Sequence, residues 1–285
     1  MNIKTVIGRI GIPVAAGALW LAGCAGGTGE GNPEFGSLSI SLRAKADAPA
    51  LNRRAVPGAL SKTAANDTLR LLDEDSTAFL IDHIYAHADR IEIGRPAGAE
   101  CRGSDTVECA DTAVIVSGSR FVDLLEKPGP LVVSGLKLPP GVYNRMKIRF
   151  GRLADPGNGS VPAAYVPLVG HSVMMKGSFD YAGVSNRSLT IYLDFNDAFE
   201  FDNTAGLAIA ADSLSNWAGV FLAGWWLRDL EITECLDDGK LVLGPDGGLV
   251  IDSGSECNEI EDSLGVNIKR STRFEEDDER EAEHD

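Results

Sequence analysis

The stretch LKLPPGVYNRMKIRF, residues 136–150, places two extended segments on either side of a tight turn. Pro139-Pro140-Gly141 is a strong turn signal, because proline fixes its own backbone angle and glycine accepts conformations that other residues avoid. Leu136–Leu138 enters the turn as one strand, and Val142–Phe150 leaves it as another. The stretch therefore predicts a β protein whose strands are joined by short turns.

Other segments on both sides of this turn also read as strands. Residues 37–43, SLSISLR, alternate serine with leucine and isoleucine, a period of two that predicts a strand with one buried face. Ala78–Ile93 reads as a long strand, and Ser172–Tyr181 and Leu189–Phe195 read as a strand pair joined through a glycine turn. Many short strands punctuated by Gly and Pro predict a mainly β fold, an antiparallel β-sandwich over residues 37–201.

The sequence changes character after residue 201. Leu214, Trp217, Phe221 and Trp225 recur at intervals of three and four residues, which predicts one face of a helix. Residues 258–270 read as a second helix. We therefore expect an α/β extension over residues 202–274 that packs on the sandwich.

Two further C-terminal features are predicted. Lys240–Leu243 and Leu249–Ile251 flank the turn sequence Gly-Pro-Asp-Gly-Gly, which predicts a small hairpin closed by a disulfide. Residues 275–285 carry eight acidic side chains and one arginine, a charge run that predicts a disordered tail.

The N-terminus has the features of an export signal. Lys4 and Arg9 precede the apolar run Ile10–Leu21, which is too short to span a bilayer, since a span needs about 20 residues. Leu21-Ala22-Gly23-Cys24 resembles a bacterial lipobox, which implies removal of residues 1–23 and lipid attachment to Cys24. The alternatives are an ordinary signal peptide and a buried N-terminal helix.

Lipidation would make the membrane the first partner of the chain. Acyl chains hold a folded domain firmly because each buried methylene contributes about 0.8 kcal/mol. The Gly-rich residues 24–36 would serve as the tether. Ala25 follows the cysteine where a retention signal for the inner membrane has Asp, so the resemblance implies the outer membrane.

Charge excludes one class of partner. The chain has 26 basic and 42 acidic residues and a net charge of −16. Removal of residues 1–23, which contain two basic and no acidic side chains, gives −16 − 2 = −18. A nucleic-acid partner is therefore not expected, because phosphates need a basic surface. Acidity of this kind indicates solubility or, less often, binding of divalent cations.

Four cysteines besides Cys24 are available for disulfides in an exported chain. Four cysteines allow three pairings, and proximity in the sequence favours Cys101–Cys109 with Cys235–Cys257. Zinc is the rival interpretation, but neither pair has the spacing of a zinc knuckle.

Acidic residues near the second cysteine pair are the candidate metal ligands. Asp237, Asp238, Asp246 and Asp252 could supply the oxygen ligands that calcium prefers. Their spacing does not match a twelve-residue calcium loop, and turn formation explains the same residues. Calcium is therefore the only cofactor that remains open.

Tryptophan and histidine residues are the other candidates for a binding or catalytic role. Trp217, Trp225 and Trp226 could form an aromatic platform for a ligand, but their helical spacing favours packing in the core. Trp226 lies off the predicted helical stripe, so we expect it, of the three, to be the one that touches solvent or a partner. His83 and His87 fall in a predicted strand, where residues four apart are about 13 Å from each other, too far to share one metal. His171 is the histidine free to act as a base, but the sequence shows no partner for it and no nucleophile elbow.

The Pro-Pro-Gly turn also carries a family resemblance. Leu138-Pro139-Pro140-Gly141-Val142-Tyr143 is similar to the Leu-Pro-x-Gly-x-Tyr turn of transthyretin-like and carboxypeptidase-regulatory-like β-sandwiches, with the tyrosine ring buried and its hydroxyl paired. With the strands around it, the chain resembles, over about residues 36–200, a domain of unknown function found in bacterial lipoproteins. The segments that carry this likeness are Leu38–Leu42, Arg90–Ile93, Phe121–Leu125 and Leu189–Phe195.

The resemblance implies a fold and a location but no catalytic residue. We therefore expect a lipoprotein of the cell envelope with a non-catalytic binding, structural or assembly role and a protein or glycan partner. Two alternatives stay open: a calcium-assisted adhesion or glycan-binding module, and a hydrolase whose site the sequence does not reveal.

Overall fold

The computed structural model describes residues 35–46, 68–95, 103–155, 160–195, 198–257 and 259–277. These ranges contain thirteen strands, two α-helices and two short 3-10 helices. The strands are β1 Gly36–Lys45, β2 Leu69–Leu72, β3 Ala78–Gly94, β4 Val107–Cys109, β5 Ala113–Asp123, β6 Leu131–Leu138, β7 Gly141–Phe150, β8 Val173–Tyr181, β9 Val184–Leu193, β10 Ala198–Ile209, β11 Leu214–Leu222, β12 Leu249–Ile251 and β13 Thr272–Glu276. The helices are α1 Ile232–Asp237 and α2 Glu259–Arg270, with 3-10 turns at Ala163–Leu168 and Ala223–Trp225.

The strands form two mixed sheets. The smaller sheet has the order β13-β11-β1-β6, and the larger one follows β10-β7-β3-β8-β9-β12. β2 and β5 also pair with β3, and β4 pairs with β5. Most pairs are antiparallel, as predicted, but β1 with β11 and β9 with β12 run parallel. The mainly β prediction is confirmed. The sheets are mixed rather than antiparallel, because β11 and β12, which lie beyond residue 201, pair in parallel with β1 and β9.

The Pro-Pro-Gly turn carries the chain from one sheet to the other. It follows β6 of the smaller sheet and precedes β7 of the larger one. Tyr143 is fully buried there, and its hydroxyl donates to the Pro139 carbonyl at 2.7 Å. Burial raises the pKa of Tyr143 to about 12, with a smaller opposing effect of Arg95. The predicted role of this tyrosine is confirmed.

One apolar core joins the two sheets. Leu38, Ile40 and Leu42 of β1 are fully buried and belong to the same cluster as residues of the larger sheet. Gly219 of β11 marks the close approach: a Cβ there would lie 2.7 Å from a Leu42 methyl carbon and 2.9 Å from the terminal carbon of Met146. Since Met146 belongs to β7, this position leaves no room for a side chain between the sheets.

The helix predicted around Trp217 is wrong, because residues 214–222 form β11. β11 lies between β1 and β13, and every residue from Trp217 to Phe221 is buried. A strand covered on both faces loses its period-two pattern, so its apolar residues matched a helical spacing by coincidence. The segment 202–274 is not an extension packed on a finished sandwich, because β10, β11 and β13 are integral to the sheets.

Of the remaining C-terminal predictions, two are confirmed and one is wrong. The helix expected over residues 258–270 is confirmed by α2, and the Cys235–Cys257 disulfide is present. The predicted hairpin is wrong: Leu249–Ile251 pairs in parallel with β9, and residues 240–243 form no strand. The short apolar segment Leu249–Ile251 pairs with the edge of β9 instead of with the residues just before it in the sequence.

The beginning and the end of the described chain are linked by buried charges. Arg43 of β1 donates to Asp277 at 2.8 Å and to Glu275 at 3.1 Å, and Lys45 lies 2.6 Å from Glu275. Ser41 also donates to Asp277. The predicted start of the acidic tail at residue 275 is therefore wrong, because opposite charges on β1 hold the first of these acids in the fold.

Several predictions lie outside the described residues. They are the signal segment 1–23, the lipid site Cys24, residues 24–34 of the tether, Cys101 of the first cysteine pair and residues 278–285 of the tail. Gly36, the predicted last tether residue, is the first residue of β1. Among the described residues, no helix combines the length and apolar character needed to cross a membrane.

Candidate functional site: an aromatic face on the larger sheet

The outer surface of β3 carries an alternating row of rings. Between two bulges, Ile84 and Ala86 point into the main core and are fully buried. His83, Tyr85 and His87 alternate with them and therefore lie on the opposite surface of the sheet. This places aromatic side chains where the fold does not need them for its main core.

Two neighbours complete what we call the aromatic face, defined as His83, Tyr85, His87, Phe121 and Tyr165. The His83 and Tyr85 rings stack at 5.0 Å with an interplanar angle of 11°. Tyr165, on the 3-10 turn Ala163–Leu168, meets Tyr85 edge-on at 5.0 Å and Phe121 at 5.2 Å. Phe121 lies opposite His87 on β5, with ring centroids 5.5 Å apart. The five rings are thus in continuous contact.

A small second core supports this face. Leu153, Leu168 and Met174 are buried there, apart from the main core, beneath partly buried Tyr85 and Tyr165. The 3-10 turn is therefore held against the sheet by apolar contacts. Such packing fixes the ring orientations before any ligand arrives, which lowers the entropic cost of binding.

Asp123 gives the face a fixed hydrogen-bonding group. One of its carboxylate oxygens accepts the backbone N–H groups of Ile84 and Leu125 at 3.0 and 3.2 Å. The other lies 2.7 Å from Nδ1 of His83. About half of the His83 side chain is exposed (48%), so solvent or a ligand can reach the imidazole.

The two tyrosines of the face keep their protons. Burial raises the pKa of Tyr165 to about 12, and the negative charges of Asp123 and Glu126 act in the same direction. Burial, followed by the charge of Asp123, also raises the pKa of Tyr85. Both phenols are therefore neutral at physiological pH, and the face offers uncharged ring surfaces and hydroxyl groups.

A second histidine cluster lies nearby, on the same surface of the larger sheet. His171, for which the sequence showed no partner, lies with Nδ1 3.1 Å from Asp194, and its ring stacks on Tyr192 at 4.4 Å. Arg152 donates to the other oxygen of Asp194 at 2.7 Å. Tyr192 is opposite Met174, which is itself opposite Tyr85, so the two clusters occupy one surface.

The acidic calcium candidates are engaged in local contacts. Asp237 accepts the Tyr181 hydroxyl at 2.7 Å, and Asp238 pairs with Lys240 at 2.8 Å. Asp246 and Asp252 each accept a backbone N–H two residues ahead, as in turns. Within the described ranges, no group of three or more His, Cys, Asp or Glu side chains is placed to hold a metal ion.

Trp226 is not available to a ligand, so the expectation that it faces solvent is wrong. The side chain is almost fully buried, and its indole N–H donates to the Ser271 hydroxyl at 2.9 Å. Its ring meets Phe221 of β11 edge-on at 6.0 Å. Tryptophan is typical of such positions because one polar atom finds a partner while the rest fills the core.

Comparisons with protein-family models, with curated proteins and with solved structures found no match.

Sequence reasoning missed the aromatic face, although part of it was visible. His83-x-Tyr85-x-His87 alternates within a correctly predicted strand, which already placed three rings on one surface. Three other residues are brought to that surface from elsewhere in the chain. The β3–β5 register places Phe121 and Asp123 there, and a loop places Tyr165 there. The sequence contains no local signal for either.

Proposed function

We propose that this protein is a lipid-anchored binding protein of the bacterial cell envelope, tethered through Cys24, and that the aromatic face binds a neutral oligosaccharide. The observation that carries the binding role is the continuous set of rings on the sheet surface opposite the main core. Sugar rings present C–H groups that pack on aromatic faces and hydroxyls that bond to fixed polar groups such as Asp123 and His83.

Charge supports a neutral ligand over an anionic one. The phenols of the face are protonated, Asp123 is an acceptor, and the whole chain is strongly acidic. An anionic ligand would meet a repulsive field in such a chain. The calcium-assisted form of this function has less support, because the four candidate acids are spread over turns and ion pairs.

The envelope location rests on the N-terminal sequence and on the disulfide. The lipobox-like Leu21-Ala22-Gly23-Cys24 supports export and acylation. The Cys235–Cys257 bridge supports an oxidising compartment, since disulfides persist outside the cytoplasm. The finer fold proposal, a transthyretin-like β-sandwich, is supported by the two sheets and the buried Tyr143 turn.

Mass spectrometry of protein purified from its native membrane tests the anchor. We expect the chain to begin at Cys24 and to carry the added mass of acyl chains, and Cys24→Ala to remain unprocessed. A native chain that keeps Met1, or one that starts at residue 24 without lipid, would contradict the proposal.

Two-dimensional NMR titration with chitotriose, cellotriose and maltotriose tests the binding role. We expect at least one of these sugars to shift signals of the aromatic face, and Tyr165→Ala to weaken binding at least tenfold. Tyr181→Ala serves as the matched control, because Tyr181 is similarly half-buried but hydrogen-bonds to Asp237 elsewhere. Binding that is unchanged in Tyr165→Ala, or no binding of any of the three at millimolar concentration, would refute this ligand class.

A further inference from the structure

The hydroxyl of one serine lies beside the aromatic face and is within hydrogen-bonding distance of a histidine, as a nucleophile and its base are in an active site. Oγ of Ser119 is 2.7 Å from Nε2 of His87. Nδ1 of the same imidazole is 2.9 Å from the carbonyl oxygen of Gly151. Ser119 is exposed, whereas only 7% of His87 is accessible. Ser119 therefore lies at the surface while the imidazole beside it is sheltered.

The hydrogen bonds determine which ring nitrogen carries the proton. A backbone carbonyl can only accept, so Nδ1 must donate to Gly151. In the neutral imidazole Nε2 is then the acceptor, and the Ser119 hydroxyl donates to it. This is the protonation state in which a histidine can take a proton from serine, with the carbonyl in the role of the group that orients the base.

The backbone holds both partners in place. Gly151 donates its own N–H to the His87 carbonyl at 3.0 Å, so Gly151 contacts His87 twice. A Cβ on Gly151 would meet a carboxylate oxygen of Asp89, and this close approach accounts for glycine at the position. The base is thus fixed by main-chain contacts rather than by a flexible side chain.

A bulge in β5 directs Ser119 at the histidine. Ala88 pairs with Arg120 and Arg90 with Ser117, so Gly118 and Ser119 together oppose a single residue of β3. Gly118 has a φ of 129°, which L side chains rarely adopt, and the Arg120 guanidinium donates to its carbonyl at 2.6 Å. Bulges of this kind re-aim a side chain and are frequent beside active sites.

We propose that Ser119 and His87 form a nucleophile–base pair that acts on carboxylic esters. Ser119 Oγ attacks the ester carbonyl carbon while the hydroxyl proton passes to Nε2 of His87. The bond from this carbon to the alcohol oxygen then breaks, and the departing oxygen takes the proton from Nε2. Water attacks the resulting acyl-serine, gives its proton to His87, and releases the acid as Ser119 regains its proton.

The surroundings favour an uncharged ester whose acyl or alcohol group is apolar. Phe121 lies two residues after Ser119 on the same strand and contacts the His87 ring. An ester carbonyl at Ser119 would therefore have an aromatic surface beside it. This inference stands on the Ser119–His87 geometry and does not depend on the binding of sugars.

Covalent labelling of the full chain with a fluorophosphonate tests the pair directly. In the reaction an Oγ–P bond forms, the P–F bond breaks, and fluoride leaves with the serine proton as HF. We expect one adduct, mapped to Ser119 by peptide mass spectrometry, and hydrolysis of 4-nitrophenyl butyrate. His87→Gln should slow both reactions about 100-fold, which is the usual contribution of a general base.

Matched variants make the result decisive. Ser117→Ala removes an exposed hydroxyl two residues away on the same strand and should leave both reactions unchanged, whereas Ser119→Ala should abolish the adduct. Near-ultraviolet circular dichroism confirms that each variant is folded. Absence of an adduct on Ser119, an adduct at another residue, or labelling of Ser119 that His87→Gln does not slow would each overturn the proposal.

Discussion

Removal of the Asp277 carboxylate should destabilise the protein by about 3–4 kcal/mol. Its side chain is 1% exposed and accepts from Arg43, whose own side chain is 6% exposed. Breaking a buried ion pair from one side costs about 3–5 kcal/mol, because the remaining charge stays buried. Glu275 still contacts Arg43 and keeps the cost of Asp277→Ala near the lower limit, while the Ser41 hydroxyl loses its acceptor.

Urea unfolding, followed by tryptophan fluorescence, measures this cost. Trp217 is buried in β11, which pairs directly with β13, so its emission reports on the affected region. Glu275→Ala is the matched control, because that carboxylate is 39% exposed and exposed ion pairs contribute about 1 kcal/mol or less. The midpoint should fall strongly for Asp277→Ala and slightly for the control, with little change in the slope.

A double variant separates the charge effect from the loss of packing. Arg43→Met with Asp277→Leu removes both charges together, and such replacements are often neutral or stabilising. We therefore expect the double variant to be clearly more stable than Asp277→Ala alone. If Asp277→Ala costs no more than Glu275→Ala, or if the double variant is as unstable as the single one, the loss of a counter-charge for buried Arg43 is not the cause.

Three further predictions concern stability. Tyr143→Phe removes the hydroxyl donor to Pro139 and should cost about 1–3 kcal/mol in urea unfolding, since a buried carbonyl loses its partner; an unchanged midpoint would contradict this. Replacing Cys235 and Cys257 together by Ala should cost about 3 kcal/mol in urea unfolding, as expected for a loop of this length; a midpoint equal to that of the native chain would exclude this contribution. Burial raises the pKa of Glu275, but hydrogen bonds to its basic partners on β1 outweigh this and lower it. A carboxyl whose folded pKa is depressed stabilises the fold above its unfolded pKa of about 4.5. Stability should therefore fall as the pH drops through the lower folded value, and a Glu275→Gln variant should show a weaker fall.

The elements that the sequence predicted well are those whose signal is local. β1, β3 and α2 lie where their periodicity or length placed them, and the turn before Tyr143 was marked by its own residues. Pairing of β8 with β9 was also predicted, since only a short turn separates them. In each case the signal lies within the segment itself or in the short turn beside it.

The errors arise where distant segments decide the structure. β11 is buried on both faces from Trp217 to Phe221, so it lacks the alternation that marks a half-buried strand. β12 pairs with β9 rather than with the residues just before it. The sequence predicts that Asp277 belongs to an acidic tail, because its partner Arg43 lies far away in the chain. Local patterns carry no information about such partners.

The same distinction explains why the candidate sites were missed. The sequence showed His87 as one of two histidines in a strand, and it showed Ser119 only as a serine without a nucleophile elbow. The two meet because the β3–β5 register brings their strands together and the bulge at Gly118 turns Ser119 toward the imidazole. Gly151 then fixes the proton on Nδ1 from a third segment. The base, the nucleophile and the orienting acceptor thus come from three separated segments, and the strand register and the bulge bring them together. Any change that shifts the bulge should therefore abolish labelling of Ser119.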